Sequence, residues 1–249
     1  MPEAPELELV KDFLNERVAG RRVTAVSVVK PSVLRSLCGD LATDAVGRTI
    51  ERATRRGKFM LLDLSGQRVL AVNPMLTGAF QHCPAGQRVF KRTCLRLTLD
   101  DGCDVRYIDD RQMGIVYYVS GEDLDRVPRL SEQGPDVLDG LSFDEFKEKL
   151  RRFHGEIKGV LTRGRVIAGI GNAYADEVLF AAEVYPFRKR KALSEDELRR
   201  IHKESRRVVL DAMKVLKERM GQDIHVKIRD FLKVHNRGRG AVPPVRPRN

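Results

Sequence analysis

The hydrophobic period changes once along the chain, and this change limits the fold more than any other feature. Before residue 125, short runs rich in valine, leucine and tyrosine alternate with turns such as DLSGQ and DDGCD, a pattern typical of antiparallel β-structure. After residue 141, apolar residues recur every three or four positions, as they do on amphipathic helices. The sequence therefore predicts an α+β fold with two domains, a β-sandwich or flattened barrel followed by a helical domain.

The boundaries of these domains follow from the local composition. A helix over Pro5–Val18 precedes six predicted strands in residues 1–125, and a long helix over Ser194–Gly221 dominates residues 142–249. The six strands are Val23–Val29, Phe59–Leu64, Arg68–Asn73, Thr93–Leu99, Asp104–Asp109 and Gly114–Val119. Residues 126–141 are polar and contain prolines and glycines, so they are predicted to link the two domains.

The stretch RVIAGIGNAYADE in the second domain predicts a tight turn that leads into a helix. Gly169 and Gly171 permit a sharp backbone path, and Asn172 lies where the helix begins. Exposed amides at a helix start can bind phosphate, and Lys158 lies nearby on the short predicted helix Glu156–Gly164. Asn172 also fits a simple role as a helix cap, so its position alone leaves both roles open.

The charge balance favours a polyanionic partner. The 249 residues include 46 Lys+Arg and 35 Asp+Glu, a formal net charge of +11. Nucleic acid is the usual partner of such a chain, although a basic protein without one stays open on charge alone. With no bilayer-length apolar run and no signal pattern, we expect a cytoplasmic, nucleoid-associated protein without a membrane partner. The four cysteines form no C-x-x-C pair, so no metal and no cofactor are expected.

Three separated motifs carry a family resemblance. IAGIGNAYADE (Ile167–Glu177) is close to I-A-G-I-G-N-x-Y-A-x-E, MPEAPELE is similar to P-E-L-P-E-V-E, and RRGKFMLLDL is similar to an R-R-x-K segment. In this order they resemble the formamidopyrimidine-DNA glycosylase and endonuclease VIII family of base-excision repair enzymes, across nearly the whole chain. The resemblance implies a helix–two-turn–helix DNA-binding motif. It also implies a bifunctional DNA glycosylase that cuts the strand at abasic sites.

The resemblance further implies a catalytic role for the start of the chain. After removal of Met1, the secondary amine of Pro2 would attack C1′ of the sugar and expel the damaged base. An α-amino group has a pKa near 8, so roughly a tenth or more is unprotonated at neutral pH. Glu3 would transfer protons, Glu6 would support the site, and Lys58 would bind the phosphate at the lesion. Without the resemblance, both carboxylates fit a simple role in the first turn of a helix.

Two loops are predicted to fill the gap that a damaged base leaves when it rotates out of the duplex. NPMLTGAF (Asn73–Phe80) resembles the family's H-L-G-M-S-G-R-F loop and places Leu76 on the inserted methionine. IDDRQMG (Ile108–Gly114) resembles D-P-R-R-F-G, so that Arg111 would face the orphaned base and Met113 would replace the phenylalanine. Plain core packing of Leu76 and Met113 is the alternative.

Three departures from the family pattern affect these expectations. FLKVHNRGRGAVPPVRPRN (Phe231–Asn249) resembles the run into the family's zinc finger but contains no cysteine, so a tail without a zinc finger is predicted. The candidates for the finger's DNA-binding arginine are Arg237, Arg239, Arg246 and Arg248. TRG (Thr162–Gly164) replaces a D-Q pair of the family. In the 8-oxoguanine-specific members of the family a longer loop caps the flipped purine where this chain has only Gln222–Asp230. The resemblance therefore implies a preference for oxidised pyrimidines, formamidopyrimidines or abasic sites over 8-oxoguanine.

Two other functions stay open from the sequence. A non-catalytic protein that binds damaged DNA on the same fold would need no N-terminal amine. An RNA-binding protein of the translation machinery would share the helical hairpin, but it would not explain Pro2 and Glu3. The sequence therefore predicts a monomeric glycosylase and lyase that acts on damaged double-stranded DNA.

Overall fold

Two packed sheets form the N-terminal half of the computed structural model, which describes residues 1–237. The strands are β1 (Val23–Val28), β2 (Leu34–Ser36), β3 (Ile50–Arg56), β4 (Phe59–Leu64), β5 (Arg68–Asn73), β6 (Gly78–Pro84), β7 (Thr93–Leu99), β8 (Cys103–Asp109) and β9 (Ile115–Ser120). One sheet has the order β1-β7-β8-β6 and is antiparallel throughout. The other has the order β2-β9-β5-β4-β3, in which β2 and β9 pair in parallel. Aliphatic side chains of both sheets meet in one core, which confirms the predicted sandwich.

The sequence predicts six of these strands and misses three, β2, β3 and β6. Strand β3 lies at the edge of its sheet, where Arg52 and Arg56 are exposed while Ile50 and Ala53 are buried. Strand β6 begins at Gly78, inside the predicted loop Asn73–Phe80. That loop prediction is therefore too long, because only residues 74–77 lie between β5 and β6.

Helices form the C-terminal half and the first element of the chain, and one short helix lies between β2 and β3. The helices are α1 (Ala4–Arg17), α2 (Leu41–Asp44), α3 (Phe143–Arg151), α4 (Ile157–Thr162), α5 (Asn172–Ala181) and α6 (Glu195–Arg219). Ser142 and Ser194 begin α3 and α6 through capping boxes, which satisfy amides that have no partner within the helix. Helices α4 and α5, with residues 163–171 between them, form the predicted helix–two-turn–helix, so the predicted fold class is confirmed.

Helix α1 belongs to both halves. Ala4, in its first turn, lies in the core of the helical half, whereas Leu7 and Leu14 lie in the core of the sandwich. The amide of Ala4 also donates to the carbonyl of Gly169, at 2.9 Å, in the turn before α5. One continuous helix therefore fixes the start of the chain against the helix–two-turn–helix.

The segment predicted as a linker, residues 126–141, is packed between the halves. Val127 and Leu130 are buried against the outer face of the five-stranded sheet, and Val137 is buried in the helical core. The guanidinium of Arg55, on β3, donates through Nη2 to Asp136 Oδ1 at 2.7 Å, and it also pairs with Glu8 on α1. This buried ion network ties β3, α1 and the connecting segment together.

Candidate functional site

The carboxylate of Glu3 caps helix α5 from outside that helix. Its Oε2 accepts hydrogen bonds from the amides of Gly171, at 2.6 Å, and Tyr174, at 3.2 Å, and its Oε1 accepts from Ala173 at 3.0 Å. The first amides of a helix lack partners within it and carry partial positive charge, so they stabilise a carboxylate. The alternative role of Asn172 as the cap is wrong, because Gly171 occupies that position and Asn172 is exposed.

Glu6 and Arg229 complete the surroundings of Glu3. Glu6 Oε2 accepts from the amide of Glu3 at 2.9 Å, and Glu6 Oε1 accepts from Arg229 Nε at 3.1 Å. Arg229 also donates through Nη2 to the carbonyl of Met1 at 2.6 Å, and it lies over the ring of Tyr174. The carbonyl of Met1 is bonded to the nitrogen of Pro2, so the guanidinium lies close to that nitrogen.

The α-amine of Met1 has a strongly lowered pKa. Burial, as the largest cause, and the charges of Lys227 and Arg229 together lower the pKa of the Met1 amine from 8.0 to about 5, although Glu3 acts in the opposite direction. Lys227 is close enough to share a hydrogen bond with the amine. An amine in these surroundings is mostly unprotonated at neutral pH, which is the form that attacks an electrophile.

The carboxyl of Glu3 has the complementary property. Burial raises the pKa of Glu3 and the adjacent Glu6 raises it further, whereas Arg229 and the amides of α5 lower it. A carboxyl group with a raised pKa can hold and donate a proton closer to neutral pH. The tip of the chain thus combines a deprotonated amine with an adjacent carboxyl that can exchange a proton.

Two cavities adjoin this tip. One, of about 380 Å³, is chiefly aliphatic. Its lining comprises Pro2, Glu6, Leu7 and Val10, the run Leu76–Phe80, Arg92, Asp110 and the run Ile224–Lys227. The other, of about 540 Å³, lies between the two halves and is lined in part by Met1 and Lys58. Burial lowers the pKa of Lys58, while the charge of Glu3 acts in the opposite direction. The Lys58 ammonium donates to the carbonyl of Thr162 at 3.1 Å.

The two loops predicted to fill the gap behind the extruded base are residues 74–77 and 110–114, here called the wedge loops. One buried carboxylate, Asp109, joins them. Its Oδ2 accepts from the amide of Gly114 at 2.8 Å, and its Oδ1 accepts from the hydroxyl of Thr77 and from the amide of Arg111. Leu76 is 40% exposed and Met113 is 44% exposed, so the alternative of core packing is wrong for both. The sequence did not single out Asp109, although a carboxylate at the end of a strand before a glycine-containing loop is a usable signal.

Both wedge loops contain backbone that is unfavourable for side-chain-bearing residues. Met75 has φ +47° and Gln112 has φ +51°, in the left-handed region. A Cβ at Gly114 would overlap the hydroxyl of Tyr107, so this position requires glycine. Such conformations persist where surrounding contacts fix them, and they are concentrated at functional sites.

The other predicted DNA contacts lie elsewhere. The ammonium of Lys158, on α4, pairs with Asp176 on α5 at 2.7 Å, and Asp176 also contacts the ring of His235. Arg237 donates to the carbonyls of Asp230 and Leu232, so its guanidinium holds the tail segment. The other candidates for the DNA-binding arginine of the zinc finger are Arg239, Arg246 and Arg248, and all three lie outside the described residues. Much of the tail predicted to lack a zinc finger also lies outside them.

Residues 1–237 contain no group of three His, Cys, Asp or Glu side chains that could hold a metal ion, and the four cysteines are unpaired. No helix in the same range is long and apolar enough to cross a membrane.

Comparisons with known proteins match both halves. Residues 1–116 match the formamidopyrimidine-DNA glycosylase N-terminal domain, and residues 134–223 match the formamidopyrimidine-DNA glycosylase H2TH domain. The formamidopyrimidine-DNA glycosylase of Pelotomaculum thermopropionicum is 33% identical over 95% of this chain and 88% of its own. That of Desulforamulus reducens is 34% identical over 86% of this chain and 78% of its own. A complex between the Lactococcus lactis Fpg and DNA containing an abasic site has 25% identity and a TM-score of 0.79, over 85% of this chain and 78% of that one.

Proposed function

We propose, from the premise that this chain belongs to the formamidopyrimidine-DNA glycosylase family, that it excises oxidised bases from duplex DNA and cuts the strand at the resulting abasic site. The observation that carries the proposal is the buried Glu3 carboxyl, held at the start of α5 directly beside Pro2. A protein that only bound DNA would need neither an amine of lowered pKa nor an adjacent carboxyl of raised pKa.

In the first step, the free amine of Pro2 attacks C1′ of the damaged nucleotide. A bond forms between the Pro2 nitrogen and C1′, the bond between C1′ and the base breaks, and the base leaves with a proton. Lys227 and Arg229 lower the pKa of the Met1 amine, and the same cations would favour the unprotonated Pro2 amine once Met1 is removed. Glu3 transfers the proton that the opening of the sugar and the departure of the base require.

In the second step, the Pro2 nitrogen is part of an iminium ion, which acidifies the protons at C2′. Loss of one of these protons and cleavage of the bond between C3′ and the phosphate oxygen cut the strand. Water then hydrolyses the iminium and releases the Pro2 amine. One nucleophile therefore serves both base excision and strand cleavage.

The remaining residues position the DNA. Lys58 and the exposed Asn172 are assigned to phosphates of the damaged strand, and Lys158 to the same strand beside α5. Leu76 and Met113 fill the gap behind the extruded nucleotide, and Arg111 faces the orphaned base. One chain supplies every group assigned to the site, which supports action as a monomer. Because the substrate is chromosomal DNA, the proposed location is the nucleoid.

Borohydride trapping tests this proposal. Protein with a mass-verified free Pro2 is incubated with abasic-site duplex and borohydride, and the adduct is located by proteolysis and mass spectrometry. We expect a reduced adduct on Pro2. Protein that retains Met1 has an amide at Pro2 and serves as the matched control, which should give no adduct on Pro2; an adduct on its Met1 amine is scored separately by mass. An adduct on a lysine would reject Pro2 as the nucleophile. The absence of any adduct from verified protein would leave a non-catalytic damage-binding protein as the function.

The aliphatic cavity beside Pro2 is assigned to the extruded base. Ile224 and Val226, from the short segment Gln222–Asp230, supply part of its wall. The resemblance implies a longer loop at this place in the members that act on 8-oxoguanine. We expect faster excision of oxidised pyrimidines and formamidopyrimidines than of 8-oxoguanine opposite cytosine. Single-turnover rates on matched duplexes test this preference, and equal or faster excision of 8-oxoguanine would contradict it.

A further inference from the structure

The cleft between the two halves contains more positive charge than Lys58 alone provides. Its walls come from the β3–β4 turn, the end of β5, the connecting segment and the loop after α4. The residues that line it are Met1, Lys58, Phe59, Asn73, Met75 and Arg129, with Glu132, Gln133, Thr162, Arg163 and Arg165. Four of them are cationic, and Glu132 is the carboxylate among them.

The carboxylate of Glu132 is already used. It pairs with Arg165 across the cleft, which links the connecting segment to the loop after α4. Arg129 and Arg163 are exposed, and within residues 1–237 neither has a carboxylate at ion-pair distance. Two arginines of the cleft are thus left without an anionic partner in the part of the chain that the structure describes.

The backbone at Arg129 adds a second observation. Arg129 has φ +67°, a left-handed conformation that is unfavourable for a residue with a side chain. Its charge is also close enough to Lys58 to disfavour protonation of that lysine. The positive charges of Arg129 and Lys58 thus repel each other, and the backbone at Arg129 is strained. An anion bound in the cleft would reduce the repulsion between the two side chains.

The chemistry of the cleft selects the anion. Arginine binds the oxygens of a phosphate through paired N–H donors, and such charge-assisted hydrogen bonds are among the stronger ones. A phosphodiester carries one negative charge, so the phosphate assigned to Lys58 leaves the charge of the arginines unbalanced. DNA presents further phosphates in a regular row along the same strand.

We propose that Arg129 and Arg163 form a second phosphate-binding position in this cleft, which takes a phosphodiester neighbouring the one held by Lys58 on the damaged strand. The inference rests on the proposed function, since it assumes that DNA occupies the cleft. It assigns a role to two residues that family resemblance and sequence pattern do not single out.

The test uses the full chain and a duplex with an uncleavable abasic-site analogue. The double variant Arg129→Gln/Arg163→Gln is compared with Arg22→Gln/Arg206→Gln, a control that removes the same charge from exposed arginines that do not line the cleft. Binding is measured as a function of salt. We expect the slope of log K against log salt to become shallower by about 1 for the cleft variant and to change less for the control. Equal slopes for both variants would overturn the proposal.

Neutral phosphate analogues locate the contact. Methylphosphonates are placed one at a time at the phosphates flanking the abasic analogue, and binding is measured for wild type and the cleft variant. We expect one neighbouring position at which the analogue weakens wild-type binding but leaves binding by the variant unchanged. If every position weakens both proteins equally, the proposed contact does not exist. Wild-type trapping on Pro2 is scored separately, so failure of catalysis is distinguished from failure of this assignment.

Discussion

The charge of Lys227 acts on the terminal amine, and Lys227 makes no hydrogen bond with Glu3, the assigned proton donor. It lies by the start of the chain, shares a hydrogen bond with the terminal amine, and lines the aliphatic cavity together with Pro2. Because a nearby cation disfavours protonation of an amine, removing it raises the pKa of that amine. The unprotonated, reactive fraction then falls at the acid end of the pH range.

Lys227→Met should therefore shift the acid limb of the pH profile for Pro2 trapping upward by about half a pH unit, because solvent screens an exposed cation. The rate well above neutral pH should stay close to that of wild type. Lys227→Arg keeps the charge and should keep the wild-type profile. Single-turnover trapping across a pH series measures the limb, and an acid limb unchanged in Lys227→Met would exclude this role.

Glu3→Gln separates proton transfer from attack by the amine. Glutamine retains an acceptor for the amides of α5 but cannot transfer the proton, so base excision should fall by about 10²-fold or more. Cleavage at a preformed abasic site should fall much less, because the base has already left. Parallel single-turnover assays on the two substrates measure this difference, with thermal melting to confirm folding. An equal loss on both substrates would argue that Glu3 acts only in positioning.

Sequence reasoning found the residues at the tip but missed Arg229. Pro2, Glu3 and Glu6 are adjacent along the chain and follow a motif. Arg229 pairs with Glu6 across 223 positions of sequence, from a segment without hydrophobic periodicity. A contact of this kind depends on how two elements pack, which no local pattern specifies.

At the scale of elements, the junction of α1 with α5 depends on a glycine. A Cβ at Gly171 would lie 2.5 Å from Glu3 Cδ, so alanine there must displace the carboxylate from the helix start. Gly171→Ala should lower base excision by at least about tenfold and should also destabilise the fold by a few kcal/mol, because three amides lose their acceptor.

Gly159→Ala is the matched control for Gly171→Ala. Gly159 lies on α4 with no atom within 4 Å of the position of an added Cβ, and alanine favours a helix over glycine by about 1 kcal/mol. This variant should keep its activity and be as stable as wild type or more so. Urea unfolding and single-turnover excision compare the two, and equal behaviour would show that the junction does not depend on the close contact at Gly171.

The elements themselves were predictable to different degrees. Strands β4 and β5 are almost continuously apolar because they are central and buried on both faces, so composition alone identifies them. Strand β3 reads as polar because it lies at a sheet edge, and its register is fixed only by pairing with β4. The packing of residues 126–141 was not predicted either, because the prolines and charged residues of this segment are typical of a linker. Its three buried apolar residues, Val127, Leu130 and Val137, form no periodic pattern.

At the scale of the whole molecule, Arg55 joins the halves. Its side chain is only 4% exposed and binds both Glu8 and Asp136. Arg55→Met would leave Asp136 without a cation in a largely buried setting and leave Glu8 with only Lys11, so the free energy of unfolding should fall by about 3 kcal/mol. Arg52→Met, on the same strand, removes an exposed pair with Asp63 and should leave the urea midpoint nearly unchanged. Similar midpoints for the two variants would contradict a structural role for the Arg55 network.

The position of helix α1 also bears on whether the protein or the DNA changes shape when the two bind. The first turn of α1 packs in the helical core and its later turns pack in the sandwich core. One continuous helix, and not a flexible hinge, therefore connects the two halves at this point. We therefore expect the width of the cleft to change little on binding, so that the duplex would have to bend and unstack to enter it. Bending intact, well-stacked DNA costs several kcal/mol, and less at a site already weakened by damage. The mechanical compliance of the substrate thus contributes to damage recognition before any base enters the cavity.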